Sequence, residues 1–361
     1  MVSTDLNHGE SFDETDKITF ATHQGVAKSF KKSFSKERGG SSSDSHRAGS
    51  TTSIDGSTAL PANGYFFWHG ESEDGSSLNY LKDTAGNVCG SVVDVAEGMV
   101  YQIQTELDGS TTVTMTSSNN FDEEEEALGD QDEVGERKLQ SSVERDSDGT
   151  PVFTIHNPNL SHNVEEQTNN SSRRNLYDDR GGNLDVMVVW TMKAECLHSG
   201  LAEGCMVTEA THAAMMTLVE LAIEETNAAY NLSGVNTELL LVHAYRHPTY
   251  DVHDSLPALI DLRNGDISDV HINRDIYGAD IVAMIGAQPS GCGRGYIGPR
   301  KAVMFSVTRY SCATGYFSFG HEIGHNLGQS RLYFKWIILI VYILSVRTPE
   351  MLSKYSRWGG K

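Results

Sequence analysis

The alternation of apolar and polar positions changes character several times along the chain of 361 residues. Residues 1–60 are polar and low in complexity, and we expect them to be disordered because they offer too little apolar surface to bury. From 61 to 118, β-prone runs such as SVVDV, MVYQIQTEL and STTVTMT are separated by Gly, Asp and Asn. That pattern predicts a small antiparallel β unit.

Residues 119–182 return to polar sequence, and 121–136 read FDEEEEALGDQDEVGE. A run of like charges either stays solvated as a linker or forms an acidic binding surface. We favour the linker, because such a run repels itself and buries little. Arg173 and Arg174 near the end of this segment are either a processing site or part of the exposed linker.

After residue 182 the apolar periods become strong and alternate between strand-like and helix-like. The predicted elements are, in order, a strand at 184–191, a helix at 208–230, a strand at 237–245, a short helix ending at Gly265, a strand at 279–287 and an edge strand at 302–307. Strands that alternate with helices are typical of an α/β fold, so we predict one for residues 183–331. Thr208 can cap the long helix, but Thr211 is neither Glu nor Gln, so no capping box is expected.

The formal charge of the chain is -21 at pH 7. A surface that negative repels phosphate groups, so we expect neither nucleic-acid binding nor attraction to an anionic membrane. The strongly apolar run WIILIVYIL, at 336–344, has nine residues and is too short to span a bilayer as a helix. It lies in a tail, residues 332–361, whose composition differs from that of the preceding region.

The chain has five cysteines, and none forms a CxxC pair, which argues against a cysteine-rich zinc module. Cys292 and Cys312 bracket the predicted edge strand and are expected to form a disulfide, and Cys196 can pair with Cys205. Two disulfides suit an oxidising compartment. Cys89 is then either a thiolate that blocks a metal in a latent precursor or, more simply, a buried free thiol.

The motif that carries chemistry is HEIGH at 321–325. His321 and His325 lie one turn apart on one face of a helix, so both imidazoles can bind one metal ion. Glu322 is rotated by about 100° from His321 and can reach a water on that metal. In such sites Zn²⁺ polarises the scissile carbonyl and acidifies its water, and the glutamate accepts the proton of that water.

The residues around the motif support a packed helix. Phe319, Ile323 and Leu327 recur every four residues and form an apolar stripe that can pack on a sheet. Gly320, Gly324 and Gly328 recur with the same spacing and form a second stripe where another backbone could approach closely. The last of them, Gly328, stands where a left-handed residue would end the helix.

The stretch FGHEIGHNLG resembles the active-site helix of the metzincin zinc endopeptidases, which read HExxHxxGxxH or end in Asp. The sequence before it, from LDVMVVWT through ETNAAYNLSGV, GCGRGYIG and MFSVTRYSCATGYFSFG, is similar to the reprolysin-like branch and to the peptidyl-Asp metalloendopeptidases. Over 184–328 the resemblance implies a zincin catalytic domain, an α/β sandwich with a twisted, mostly parallel sheet. More weakly, 61–118 resembles the accompanying propeptide.

Matched to this motif, His321 and His325 are the first two zinc ligands and Glu322 is the catalytic base. The resemblance puts the third ligand at position 331, where Arg331 offers no lone pair to zinc because its guanidinium stays protonated. The Met-turn of the family has only a weak counterpart in Met351. A truncated or mis-predicted C-terminus explains both losses, and the alternative is an inactive descendant.

The other histidines do not complete the site by their spacing. His243 falls within a predicted strand and fits a core position. His247, His253 and His271 fall in predicted loops and could supply a ligand, but nothing in their spacing selects one. No third ligand is therefore assigned.

We expect a zinc-dependent endopeptidase precursor that hydrolyses peptide bonds in protein or peptide substrates, with Zn²⁺ as its cofactor. The alternative is a catalytically inactive, metzincin-like binding protein that lacks the third ligand. The resemblance implies secretion, although the N-terminal segment MVSTDLNHGESFDETDK shows no basic start followed by an apolar stretch.

Overall fold

The described part of the chain contains two large sheets. The computed structural model describes residues 16–38, 64–117, 182–251, 254–287 and 291–328, together with the short paired strands β8 (Glu144–Arg145) and β9 (Pro151–Val152). One sheet has seven strands and the other has five. The acidic run at 121–136, the pair Arg173 and Arg174, and the tail after 328 lie outside the described residues.

The first sheet is an antiparallel meander in which each strand pairs with the next one along the chain. Its strands are β1 (Lys17–Ala21), β2 (Ala27–Arg38), β3 (Tyr65–Glu71), β4 (Ser77–Asp83), β5 (Val88–Asp94), β6 (Met99–Thr105) and β7 (Thr111–Ser117). The antiparallel β unit predicted for 61–118 is therefore confirmed as β3 to β7, and the sheet extends beyond that range.

The expectation that residues 1–60 are disordered is wrong for β1 and β2. Phe20 and Phe30 are buried in a core on one face of the first sheet, beside Trp68. Residues between the apolar positions of these strands are Lys, Ser and Thr. The average composition is therefore polar, although β1 buries Ile18 and Phe20 at alternate positions and β2 buries Lys28 and Phe30, which is enough for a half-buried strand.

The second sheet has the order β11-β10-β12-β14-β13. Its strands are β10 (Gly182–Thr191), β11 (Thr237–His247), β12 (Ile281–Gly286), β13 (Gly293–Gly295) and β14 (Phe305–Arg309). β10 pairs in parallel with β11 and β12, and β12 pairs in parallel with β14, whereas β13 is antiparallel to β14. Together with the helices between its strands, this sheet confirms the α/β class.

Helices cover both faces of the second sheet. They are α1 (Met192–His198), α2 (Glu209–Leu232), α3 (Ser255–Asn264), α4 (Ser268–Tyr277) and α5 (Ser318–Asn326). Val186, Val188 and Trp190 of β10 pack in the core that contains α2 and α5, while Met187 and Val189 pack in the core that contains α3 and α4. A strand buried on both faces reads as a continuous apolar run, which is why its position could be predicted.

Two local predictions are wrong. The predicted edge strand at 302–307 is β14, an interior strand, and the edge position belongs to β13. β13 reads only GRG and has no strand signal of its own. α2 does begin with a capping box, because the hydroxyl of Thr211 accepts from the Thr208 amide at 2.9 Å and the hydroxyl of Thr208 accepts from the Thr211 amide at 3.2 Å.

α2 also joins the two sheets. Tyr65, Phe67 and Leu81 of the first sheet lie in the same apolar core as Leu218 and Ala222 of α2. The two units therefore share buried surface as well as a covalent connection.

The disulfides predicted between Cys292 and Cys312 and between Cys196 and Cys205 both form. Cys89 is a buried free thiol in the core shared with α2, and burial raises its pKa to about 12. This environment suits the buried-thiol interpretation, because a thiolate would be strongly disfavoured there. Among the described residues, no helix is long and apolar enough to cross a bilayer.

Candidate metal and catalytic site

α5 brings His321 and His325 together. Their Nε2 atoms lie 3.0 Å apart, with the two rings nearly perpendicular. Both residues are buried, at 3% and 1% exposure. Two nitrogens that bind one tetrahedral zinc ion at about 2.0–2.1 Å are about 3.3 Å apart, so these two side chains fit a shared metal ion.

Glu322 lies against the edge strand β13. A methyl group at Gly293 would come within 2.8 Å of both Cγ and Oε1 of Glu322, and one at Gly295 within 2.7 Å of its backbone oxygen. Real Cβ atoms do not approach that closely, so glycine at 293 leaves room for the Glu322 side chain and glycine at 295 leaves room for its backbone. Glu322 is fully buried in this position.

The body of α5 is anchored on α2 and on the second sheet. Phe319 and Ile323 are buried in the core that contains α2. A Cβ at Gly320 would lie 2.8 Å from Oγ1 of Thr226, and the hydroxyl of Tyr230 donates to the Gly320 carbonyl at 2.9 Å. The space beside the glycine stripe is used at Gly320, but a side chain of α2 fills it, whereas the prediction was that another backbone would approach there.

Asn326 is a site-positioning residue that the sequence analysis missed. It is fully buried, and its Nδ2 donates to the carbonyls of Tyr296 and Phe305, each at 2.9 Å. These bonds hold the end of α5 on β14 and on the segment after β13. The signal in the sequence is a polar residue directly after the second histidine, which no helix periodicity explains.

The end of α5 follows the prediction. Gly328 has a φ of 92°, the left-handed conformation expected of a residue that ends a helix. Its amide donates to the carbonyl of His325 at 2.9 Å, and the Gly298 amide donates to the same carbonyl at 3.0 Å. The second histidine is thus held through its backbone as well as its ring.

The other histidines with described side chains have partners elsewhere. His247 accepts from the Tyr250 amide through Nδ1, so its Nε2 carries the proton and donates to Asp269 at 3.0 Å. The Nε2 of His271 donates to a backbone carbonyl at 2.6 Å. His243 is half-buried rather than a core residue, its ring stacks on Tyr277 at 3.7 Å, and burial lowers its pKa to about 4.

No third ligand is found in the described part of the chain, where no three His, Cys, Asp or Glu side chains are grouped to hold a metal. His253 lies outside the described residues, and so do Arg331 and Met351.

Comparison with known proteins agrees with the resemblance read from the motif. Residues 216–330 match the reprolysin-like metallo-peptidase family M12B. A peptidyl-Asp metalloendopeptidase from Xanthomonas campestris pv. campestris is 35% identical over 118 residues, which cover 31% of this chain and 28% of that protein. A protein of the same name from Stenotrophomonas maltophilia is 34% identical over 31% of this chain and 28% of its own length. Another, from Pseudomonas aeruginosa, is 35% identical over 31% of this chain and 21% of its own length.

This chain therefore matches less than a third of the length of these curated relatives. A chain in the solved structure of a chaperone-substrate complex superposes on 41% of this chain, with a TM-score of 0.33 and 21% identity. The superposed part is 24% of that chain, and a TM-score this low does not indicate a shared fold. The resemblance carried by the HEIGH helix is confirmed over residues 216–330, which are similar to the reprolysin-like metallopeptidases.

Proposed function

We propose that this protein is a zinc-dependent endopeptidase whose metal is held by His321 and His325. The observation that carries the proposal is the convergence of the two Nε2 atoms to 3.0 Å on a buried helix that also presents Glu322. Neutral imidazole nitrogens are among the preferred zinc ligands. A histidine pair at this spacing with an adjacent glutamate is the motif of zinc peptidases, in which the histidines bind the metal and the glutamate is the general base.

In this proposal Glu322 is the proton-transfer group. Its carboxylate accepts a proton from the attacking water and later delivers that proton to the departing amine. Bound zinc would polarise the scissile carbonyl and lower the pKa of a water molecule. The glycines of β13 leave the space in which the Glu322 side chain lies.

The third ligand of the proposed site comes from outside the described residues. The resemblance puts it at position 331, and sequencing of the transcript beyond Gln329 decides which side chain stands there. His or Asp in that position completes the site. An uninterrupted message that reads Arg331 removes the truncation hypothesis and requires a different third ligand.

The alternative of a catalytically inactive binding protein gains no support from the comparisons, since the family match and the named relatives are peptidases. The relatives are named for action at aspartyl residues, so peptides with an internal Asp are the first substrates to test. Because residues 184–328 resemble the metzincins and the chain forms the disulfides Cys196–Cys205 and Cys292–Cys312, we also propose an extracellular site of action.

The decisive experiment combines zinc content with hydrolysis. We expect the purified chain to hold zinc stoichiometrically and to cleave an Asp-containing peptide. Glu322→Gln should keep the zinc and lower kcat by about 10²–10⁴-fold, because the amide cannot accept the proton. The matched control Glu73→Gln, at an exposed turn of the first sheet, should leave both unchanged. Wild-type protein without zinc or hydrolysis would refute the proposed function.

A further inference from the structure

The segment that leads into α5, residues 311–317, has an unusual backbone. Gly315 has a φ of 75° and Phe317, the N-cap of the helix, has a φ of 59°. Phe317 is the one non-glycine residue with positive φ in the described part of the chain. Left-handed conformations are unfavourable for a residue with a Cβ, so the surroundings must hold this segment in place.

β6 of the first sheet contributes two of the hydrogen bonds that fix residues 311–317. The Nε2 of Gln102 donates to the carbonyl of Ser311 at 3.1 Å and to the carbonyl of Thr314 at 2.9 Å. One side-chain amide thus bonds two backbone carbonyls on either side of a turn. Residues 102 and 311 are far apart in the sequence, so these bonds exist only when the two units are docked.

Glu225 of α2, whose side chain is buried, links the same segment to the first sheet by hydrogen bonds. Its Oε2 accepts from the Gly315 amide at 2.8 Å. Its Oε1 accepts from the Nδ2 of Asn79 at 2.9 Å and from the hydroxyl of Ser91, both in the first sheet. One carboxylate therefore joins the active-site segment, α2 and the seven-stranded sheet.

The contact between the sheet and this segment is also tight. A Cβ built on Gly315 would lie 2.8 Å from Cγ1 of Val100 and 3.4 Å from Cβ of Ser91. The sheet therefore approaches the backbone of Gly315 as closely as packing allows. Hydrogen bonds on both sides of this contact leave the segment little freedom.

We propose that the seven-stranded sheet is a positioning element for α5, which holds residues 311–317 in the conformation from which the helix begins. Gln102 acts directly, whereas Ser91 and Asn79 act through Glu225. Gln102, Ser91, Asn79 and Glu225 are positioning residues. Their described bonds go to backbone groups or to one another, apart from the bond between Asn79 and His69. The inference rests on the proposed function to the extent that α5 carries the metal ligands.

The test uses hydrogen–deuterium exchange of the full chain. In Gln102→Ala and in Ser91→Ala we expect amides of residues 311–320 to exchange about tenfold faster than in wild type, because a buried acceptor loses a donor. Gln24→Ala and Ser33→Ala are matched controls at exposed positions of the same sheet and should match wild type. Exchange in α3 and α4, on the far face of the second sheet, should not change.

Two exchange results would overturn the inference: unchanged exchange at 311–320 in both variants, or an acceleration spread evenly over both units, which indicates general destabilisation. Peptidase kinetics separate this inference from the proposed function. If wild type hydrolyses peptides, Gln102→Ala should retain zinc and lower kcat more than it changes KM. If wild type neither binds zinc nor hydrolyses, the proposed function fails, and the exchange data still decide whether the sheet positions α5.

Discussion

α2 and α5 pack against each other, yet they begin in opposite ways. α2 begins at Thr208, whose hydroxyl and backbone form a reciprocal pair of hydrogen bonds with Thr211, three residues away. α5 begins at Phe317, a left-handed residue with no side-chain cap. The segment before α5 is bonded instead by Gln102 and Glu225, which are distant in the sequence.

This difference shows how the two helix starts depend on the rest of the fold. The start of α2 needs only its own residues, so it can form as soon as the helix does. The start of α5 depends on a docked sheet and on α2, so its geometry is a property of the assembled molecule. Of these two helices, the one that carries the proposed chemistry is therefore the one whose start has fewer local determinants.

The largest expected effect comes from Gly315→Ala. The new methyl group would meet Val100, and the alanine would have to adopt a φ of 75°. We therefore expect a loss of roughly 2–5 kcal/mol in the free energy of unfolding. Gly109→Ala is the matched control, since Gly109 has a φ of 82° and open space around it. It should lose only about 1–2 kcal/mol.

Chemical denaturation of the full chain measures both variants of this pair. The difference between their losses isolates the contact between the first sheet and residues 311–317. Equal losses in the two variants would mean that the sheet does not press on Gly315 in solution. That result would remove the main distinction between the two helix starts.

A smaller effect concerns the pH dependence of the Glu225 bridge. Burial raises the pKa of Glu225 from 4.5 to about 7, although bonds from Ser91, Gly315 and Asn79 oppose the shift. Two ionisable groups are coupled to Glu225. The charge of Glu225 adds to the effect of burial in raising the pKa of Cys89, and His69, whose pKa is lowered by burial, bonds Asn79 at 2.7 Å.

Since the folded-state pKa of Glu225 lies above the unfolded one, its contribution to stability is fully present below pH 4.5 and is lost as the pH rises through 7. Glu225→Gln has no such titration. Between those pH values, the stability of wild type relative to the variant should fall by up to about 3 kcal/mol. Urea denaturation at both ends of this pH range measures the difference in the free energy of unfolding. If that free energy depends on pH in the same way in wild type and in Glu225→Gln, the raised pKa of Glu225 is contradicted.

The smallest effect is expected at the start of α2. Thr208→Ala removes the side-chain cap and should cost about 1 kcal/mol, whereas Thr208→Ser should cost much less because it keeps the hydroxyl. Thermal unfolding with hydrogen exchange in the first turn of α2 measures both. Exchange at 311–317 should stay unchanged, and a change there would show that the two helix starts are coupled after all.

Much of the fold could be predicted from local pattern. β10 and β12 are continuous apolar runs, and α2 carries a helical apolar period, so these elements appear close to their predicted bounds. β1 and β2 were missed because Lys and Ser between their apolar residues made the average polar. The three residues of β13 were missed because a strand that short has no periodicity.

The proposed site also contains residues that local spacing predicts and residues that only the sheet order places there. His321, Glu322 and His325 were predicted because helical spacing alone places them together. Gly293 and Gly295 beside Glu322 could not be predicted, because which strand lies against a given side chain depends on sheet order.

By itself, the sequence determined the chemistry available on α5 and the α/β class of its second half, since helical period, buried strands and ligand spacing are local properties. Only the tertiary structure decided what surrounds that helix. It places β13 in contact with Glu322, bonds Asn326 to the backbone of β14, and packs the first sheet against Gly315. These contacts join residues separated by many tens of positions, and the free energy that selects them comes from burial over the whole core rather than from any short stretch of chain.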